Sequence, residues 1–147
     1  GALFFDPYCS AERGSLCSAE KAELEELLSR SDFVTVHAPA SEATNNLIGR
    51  DAFARMKDGA FFINTSRASL VDDDALAEAL ESGKLAGAAL DVHSVEPPAS
   101  DDRLVSRDDV ITTPHIGGDT FEIAATRGSL SPASFASCSK AGPRTIY

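Results

Sequence analysis

The apolar residues of this chain cluster in short runs separated by longer amphipathic stretches. "ALFF" at residues 2–5 is unbroken and reads as a short buried strand. A polar stretch follows, and then "SAEKAELEELLSRS" sets Leu24, Leu27 and Leu28 on one helical face. "DFVTVH" is a β-branched strand ending at His37, with Pro39 barring its continuation. "GRDAFARMKDG" places Phe53 and Met56 three apart and closes on Gly59, which predicts a helix and its stop. "AFFIN" is another short buried strand. "DDDALAEALESG" has acids in its first turn, Leu76 and Leu80 four apart, and Gly83 just beyond its end. "AGAALDV" and "DVITT" supply two more strands, and "DTFEIAATR" begins a last helix.

Strand and helix therefore alternate, and the strands are apolar throughout instead of alternating with polar residues. That pattern predicts an α/β fold of buried parallel strands joined by helical crossovers. No internal repeat is present. From residue 129 the character changes, with Ser at four of the ten positions 129–138, no helical period, and then Gly142-Pro143. Residues 1–128 read as a partial domain and 129–147 as a Ser-rich tail that is either disordered or foreign to it.

A length of 147 residues suits one domain with a real core. Hydrophobic residues at 43 % and charged residues at 24 % place the chain among globular domains and not among disordered ones. A net charge of -10 argues against non-specific nucleic-acid binding and against adsorption to an anionic membrane. No apolar run approaches a membrane span, and no charged-then-apolar leader opens the chain. The cysteines are Cys9, Cys17 and Cys138, with no C-x-x-C pair and no histidine at ligand spacing. That is a poor disulfide framework and a poor zinc site, and it predicts a reducing, cytoplasmic setting with no metal.

Three stretches each end a strand, where open α/β sheets hold their ligands. "INTSRASLVD" carries Arg67 in a strand-to-helix turn, "ALDVHSVEPP" carries Asp91 and Glu96, and "TTPHIGG" carries His115 between Pro114 and a glycine pair. Arg67 can clamp a carboxylate through two parallel N–H donors. His115 can give a proton to a carbonyl oxygen as its carbon is reduced. Glu96 can accept from the other ring nitrogen and favour the charged imidazole. Taken singly, each has an ordinary explanation: a turn arginine is most often a solvated charge, and a lone histidine more often structural than catalytic. His37 and His93 keep that ordinary explanation. It is the joint arrangement that points to chemistry.

"DFVTVHAP…T", "MKDGAFFINTSR…LVDDDALAEALESGKLAGAALDV…EPP" and "TPHIGG" together resemble the cofactor domain of the D-isomer-specific 2-hydroxyacid dehydrogenases, from about Asp6 to Arg127. The resemblance implies that Arg67 binds the substrate carboxylate, that Glu96 pairs with the catalytic histidine, and that His115 is the general acid/base. It implies an NAD site in which Asp6 holds the adenosine ribose and Ala38, Pro39 and Thr44 line the adenine side. Thr65 and Ser66 would lie near the nicotinamide with Arg67 and His115 beside them, Asp91 would reach the carboxamide edge, and Gly117 would allow close approach to the ring. An acid at position 6 favours NAD over NADP, because a carboxylate repels a 2′-phosphate. The implied partners are a small 2-oxo or 2-hydroxy acid and, for the whole protein, a second copy in a homodimer.

The chain also departs from the family pattern. None of its ten glycines forms G-x-G-x-x-G. In the Rossmann order 3-2-1-4-5-6 the strand feeding that loop is central, so strands 2 to 6 are expected here without strand 1 or the pyrophosphate cradle. The expected fold is thus an incomplete Rossmann-type parallel sheet. Losing the central strand leaves two inner edges unpaired, so either the strands flanking the gap pair directly or the chain is poorly folded alone. Gly1 where a gene opens on Met fits a fragment. Ala68 stands where the family usually has glycine, which questions the aim of Arg67. An NAD-binding corepressor-like module, which "DVHSVEPP" resembles, and an inactive truncated product remain the alternatives.

Overall fold

The computed structural model describes residues 1–16 and 18–118. The helix expected from Asp119 and the tail at 129–147 lie outside the described residues. In chain order the elements are β1 (Ala2–Phe4), α1 (Ala11–Leu16), β2 (Ala19–Lys21), α2 (Leu24–Arg30), β3 (Phe33–Val36), α3 (Arg50–Arg55), β4 (Ala60–Asn64), α4 (Asp73–Glu81), β5 (Leu85–Leu90) and β6 (Val110–Thr112). Two 3₁₀ turns, Glu42–Thr44 and Ala68–Leu70, follow β3 and β4.

The helices form where the apolar spacing asks for them. α4 opens on Asp72, whose side chain accepts a hydrogen bond from the Ala75 N–H at 3.0 Å and so satisfies a free donor of the first turn. It buries Ala75, Leu76, Ala77, Ala79 and Leu80, and Gly83 turns the chain away with φ of +73°. α3 ends earlier than expected, at Arg55 with Met56 as its cap. Gly59, at φ +77°, serves the turn into β4 instead of the helix end.

All strand pairs are parallel, but they form two separate sheets. β1 pairs with β2, and β3-β4-β5-β6 form a four-stranded sheet in sequence order. Six strands are present where five were expected. Ala19-Glu20-Lys21 lies in the stretch whose leucine spacing suggested helix from residue 18, yet helix begins only at Leu24. α1 occupies the stretch that read as merely polar. Within the larger sheet β3-β4-β5 follow one another as places 4-5-6 of the Rossmann order do, with β6 extending the run, and β1-β2 form a sheet of their own. The first alternative for the gap is not met, since β1 and β3 belong to different sheets and do not pair.

The core lies on one face of the larger sheet. Val34, Val36, Phe62, Ala88, Leu90 and Val110 point into a cluster with Leu28, Phe53, Met56, Leu76 and Leu80 from α2, α3 and α4. Phe62 is fully buried and meets Phe53 edge to face, ring centroids 5.2 Å apart. Among the described residues the other face is open. Phe33 and Phe61, partners in the β3–β4 register, stack there at 5.2 Å with 66 % and 41 % of their surfaces exposed. Ile111 on β6 is exposed as well. Among the described residues no helix is long and apolar enough to cross a membrane.

Candidate active site

Register sets the site. Val36 pairs with Asn64, Asn64 with Leu90, and Leu90 with Thr112, so the last residues of four strands form one row. Each chain segment leaving that row emerges at the same carboxyl rim, where a parallel sheet presents its loops to ligands.

The β4 turn is tied by a buried amide. Asn64, 1 % exposed, donates from Nδ2 to the Arg67 carbonyl at 2.9 Å and accepts from the Ser66 N–H at 3.0 Å. The Ser66 hydroxyl reaches across to the Ala38 carbonyl at 3.0 Å and links the β3 and β4 loops. Thr65 and Arg67 are exposed on this turn. The Arg67 guanidinium donates to the Ser66 carbonyl at 2.6 Å, and no ion pair joins it to Glu96 or His115 among the described residues. Ala68 starts the following 3₁₀ turn and is not among the residues with left-handed backbone, so the missing glycine costs nothing there.

Asp91, 4 % exposed at the end of β5, anchors the next loop. Its Oδ1 accepts from the Thr113 hydroxyl at 2.5 Å and the Ile116 N–H at 2.9 Å, and its Oδ2 accepts from the Gly117 N–H at 2.7 Å. Burial pushes the Asp91 carboxyl up, but the bonds from Thr113, Gly117 and Ile116 outweigh it and hold the group below the usual carboxylate range. Asp91 thus spends its acceptors on residues 113–117, whatever else it reaches.

His115 is the product of that anchoring. Its backbone is left-handed, φ +55°, an uncommon state for a residue with a Cβ that costs about 1 kcal/mol. Its Nδ1 lies 3.0 Å from both Glu96 oxygens. Glu96 Oε1 also accepts from the His93 N–H at 3.1 Å. The bond with His115 and then that with His93 hold the Glu96 carboxyl below its usual range. The Glu96–His115 pair is half exposed, with side chains 41 % and 44 % accessible. Nδ1 is therefore taken and Nε2 is the nitrogen available to a ligand.

The expected cofactor residues divide between the two sheets. Pro39 and Thr44 belong together, because the Thr44 hydroxyl donates to the Pro39 carbonyl at 2.7 Å and braces the loop after β3. Asp6 follows β1 and is 5 % exposed. Its Oδ1 accepts from the Tyr8 N–H at 2.8 Å, which fixes the carboxylate and leaves Oδ2 to accept from a diol. That arrangement suits a ribose. No G-x-G-x-x-G, the motif of a pyrophosphate cradle, occurs in this sequence.

Sequence patterns did not single out Asn64 or the ring of His93, which organise the site through bonds to backbone atoms, or Thr113, whose hydroxyl holds Asp91 and whose carbonyl accepts from the His93 ring. His93 is partly buried instead of lying free in a turn, its Nε2 3.2 Å from the Thr113 carbonyl.

Residues 2–117 match the family described as D-isomer specific 2-hydroxyacid dehydrogenase, NAD binding domain. D-3-phosphoglycerate dehydrogenase of Archaeoglobus fulgidus is 42 % identical over 128 residues, 87 % of this chain and 24 % of that protein. The holo form of D-mandelate dehydrogenase from Rhodotorula graminis superimposes with a TM-score of 0.81 at 39 % identity, covering 88 % of this chain and 38 % of that one. D-lactate dehydrogenase with NAD+ from Lactobacillus jensenii gives 0.81 at 29 % identity, covering 99 % and 47 %. The chain spans about a quarter of the length of the curated relatives it matches.

Proposed function

The chain belongs to the D-isomer specific 2-hydroxyacid dehydrogenase family as its NAD-binding domain, and we propose that it serves the NAD-dependent interconversion of a 2-oxo acid and a D-2-hydroxy acid. The observation that carries this reading is the Glu96–His115 pair, in which both carboxylate oxygens stand 3.0 Å from Nδ1. Glu96 keeps a hydrogen on Nδ1 and steadies the ring, so Nε2 carries the working proton. When bound, the dinucleotide provides hydride chemistry at the substrate carbonyl carbon. In reduction, protonated His115 gives its Nε2 proton to the carbonyl oxygen; in oxidation, neutral His115 takes it back from the hydroxyl. Arg67 is exposed on the same rim, where it would receive the substrate carboxylate through two N–H donors and orient one face of the carbonyl.

Asp6 would accept from the adenosine ribose, with its charge set against a 2′-phosphate. Ala38, Pro39 and Thr44 would border the adenine, and Thr65, Ser66 and Gly117 the nicotinamide. The same reading takes the protein as intracellular and as a homodimer when whole, in keeping with family membership and an odd cysteine count. The test is NADH oxidation by the protein with a panel of 2-oxo acids, followed by absorbance. Turnover that falls at least a hundredfold in His115→Gln is expected. NADH binding without turnover on any 2-oxo acid would leave a binding module and overturn the catalytic reading.

A further inference from the structure

His93 touches both halves of the acid–base pair. Its backbone N–H donates to Glu96 Oε1 at 3.1 Å, the same oxygen that lies 3.0 Å from His115 Nδ1. Its ring reaches the other way, with Nε2 3.2 Å from the Thr113 carbonyl. A carbonyl only accepts, so Nε2 of His93 carries the hydrogen. The Thr113 carbonyl accepts a second bond, from the His115 N–H at 3.0 Å. The bonds close a ring that runs from Glu96 through the His93 backbone and imidazole to Thr113, then through His115 back to Glu96. Inside that ring lies the left-handed His115 backbone, which needs surrounding bonds to persist.

We propose that His93 is a positioning residue, whose ring N–H to Thr113 locks the loop of His115 against Glu96 and so fixes the tautomer and aim of the His115 imidazole. The tautomer follows from geometry. With Glu96 held over Nδ1, the neutral His115 ring keeps its hydrogen there; once the loop shifts away from Glu96, nothing holds it on that nitrogen. A phenyl group at position 93 would keep the bulk of the ring but not the donor. A glutamine would present an amide N–H at comparable reach. The catalytic consequence rests on the dehydrogenase reading above, whereas the tautomer does not.

The experiment uses the full chain with histidine labelled in 15N, and reads the Nδ1 and Nε2 signals of His115 in wild type, His93→Phe and His93→Gln. Wild type is expected to hold His115 as the Nδ1–H tautomer. His93→Phe moves His115 measurably toward Nε2–H, and His93→Gln returns it. In the active enzyme the Phe variant loses roughly tenfold in kcat with KM within about twofold, and the Gln variant recovers most of that loss. A Phe variant with the wild-type tautomer overturns the proposal, and so does a Gln variant as impaired as Phe. If the tautomer moves as expected but His115→Gln still turns over at full rate, the brace stands and the catalytic reading of His115 falls.

Discussion

Gly117 leaves no room for a side chain because Asp91 fills the space: a Cβ at position 117 would lie 2.7 Å from Asp91 Oδ2, the same atom its N–H bonds at 2.7 Å. The carboxylate and the glycine are one device for holding the loop of His115. Gly117→Ala has to break that bond or displace the loop, and is expected to destabilise the chain by about 2 kcal/mol, the usual worth of a bond to a charged group. Urea unfolding checks it, through a lower midpoint at unchanged slope.

The same carboxylate gives the fold a pH dependence. Asp91 titrates lower in the folded chain than its ordinary value, so its contribution is complete above the ordinary carboxylate range. As pH falls through that range toward the depressed folded value, the unfolded chain takes up the proton first and the contribution drains away. Urea midpoints of wild type and Asp91→Asn should differ at neutral pH and converge in acid. A constant difference would mean that the charge of Asp91 plays no part.

The partner of His115 and the proposed substrate clamp should fail differently. Glu96→Gln keeps shape but puts an amide nitrogen in place of one of the two carboxylate oxygens that face His115 Nδ1, so kcat should drop by about a hundredfold. Arg67→Lys keeps the charge but loses the two-pronged grip, so KM should rise by about tenfold with a smaller effect on kcat. Steady-state kinetics on the best 2-oxo acid separates the two.

On the open face, the stacked Phe33 and Phe61 are an apolar patch presented to water. Replacing both by Thr keeps strand propensity while removing about 1 kcal/mol of ring contact. Sedimentation velocity should show less self-association in the double variant at equal concentration.

How much of this was legible beforehand varied with the kind of signal. α3 and α4 were readable because their apolar residues recur at helical spacing over a long enough stretch, and Asp72 and Gly83 mark the ends of α4. β2 was not, since Ala-Glu-Lys has neither alternation nor apolar run, and only pairing with β1 makes it a strand. In the site, Arg67, Glu96 and His115 belong to recognisable motifs. The supports do not: the Asn64 amide and the His93 ring bond backbone carbonyls, which leave no pattern in side-chain type, and Thr113 meets Asp91 only across 22 residues of chain. The resemblance expects Asp91 to reach the cofactor, and its bonds to residues 113–117 are a second engagement that the motif does not announce.

The serial order β3-β4-β5-β6 has one more consequence. Parallel strands added one after another in a single direction, each by a right-handed crossover, wind every linking helix onto the same side. Within that span no reversal of direction occurs that could send a helix beneath. The underside left bare among the described residues follows from chirality before any side chain is chosen, and a roof over it has to come from a segment outside those four strands.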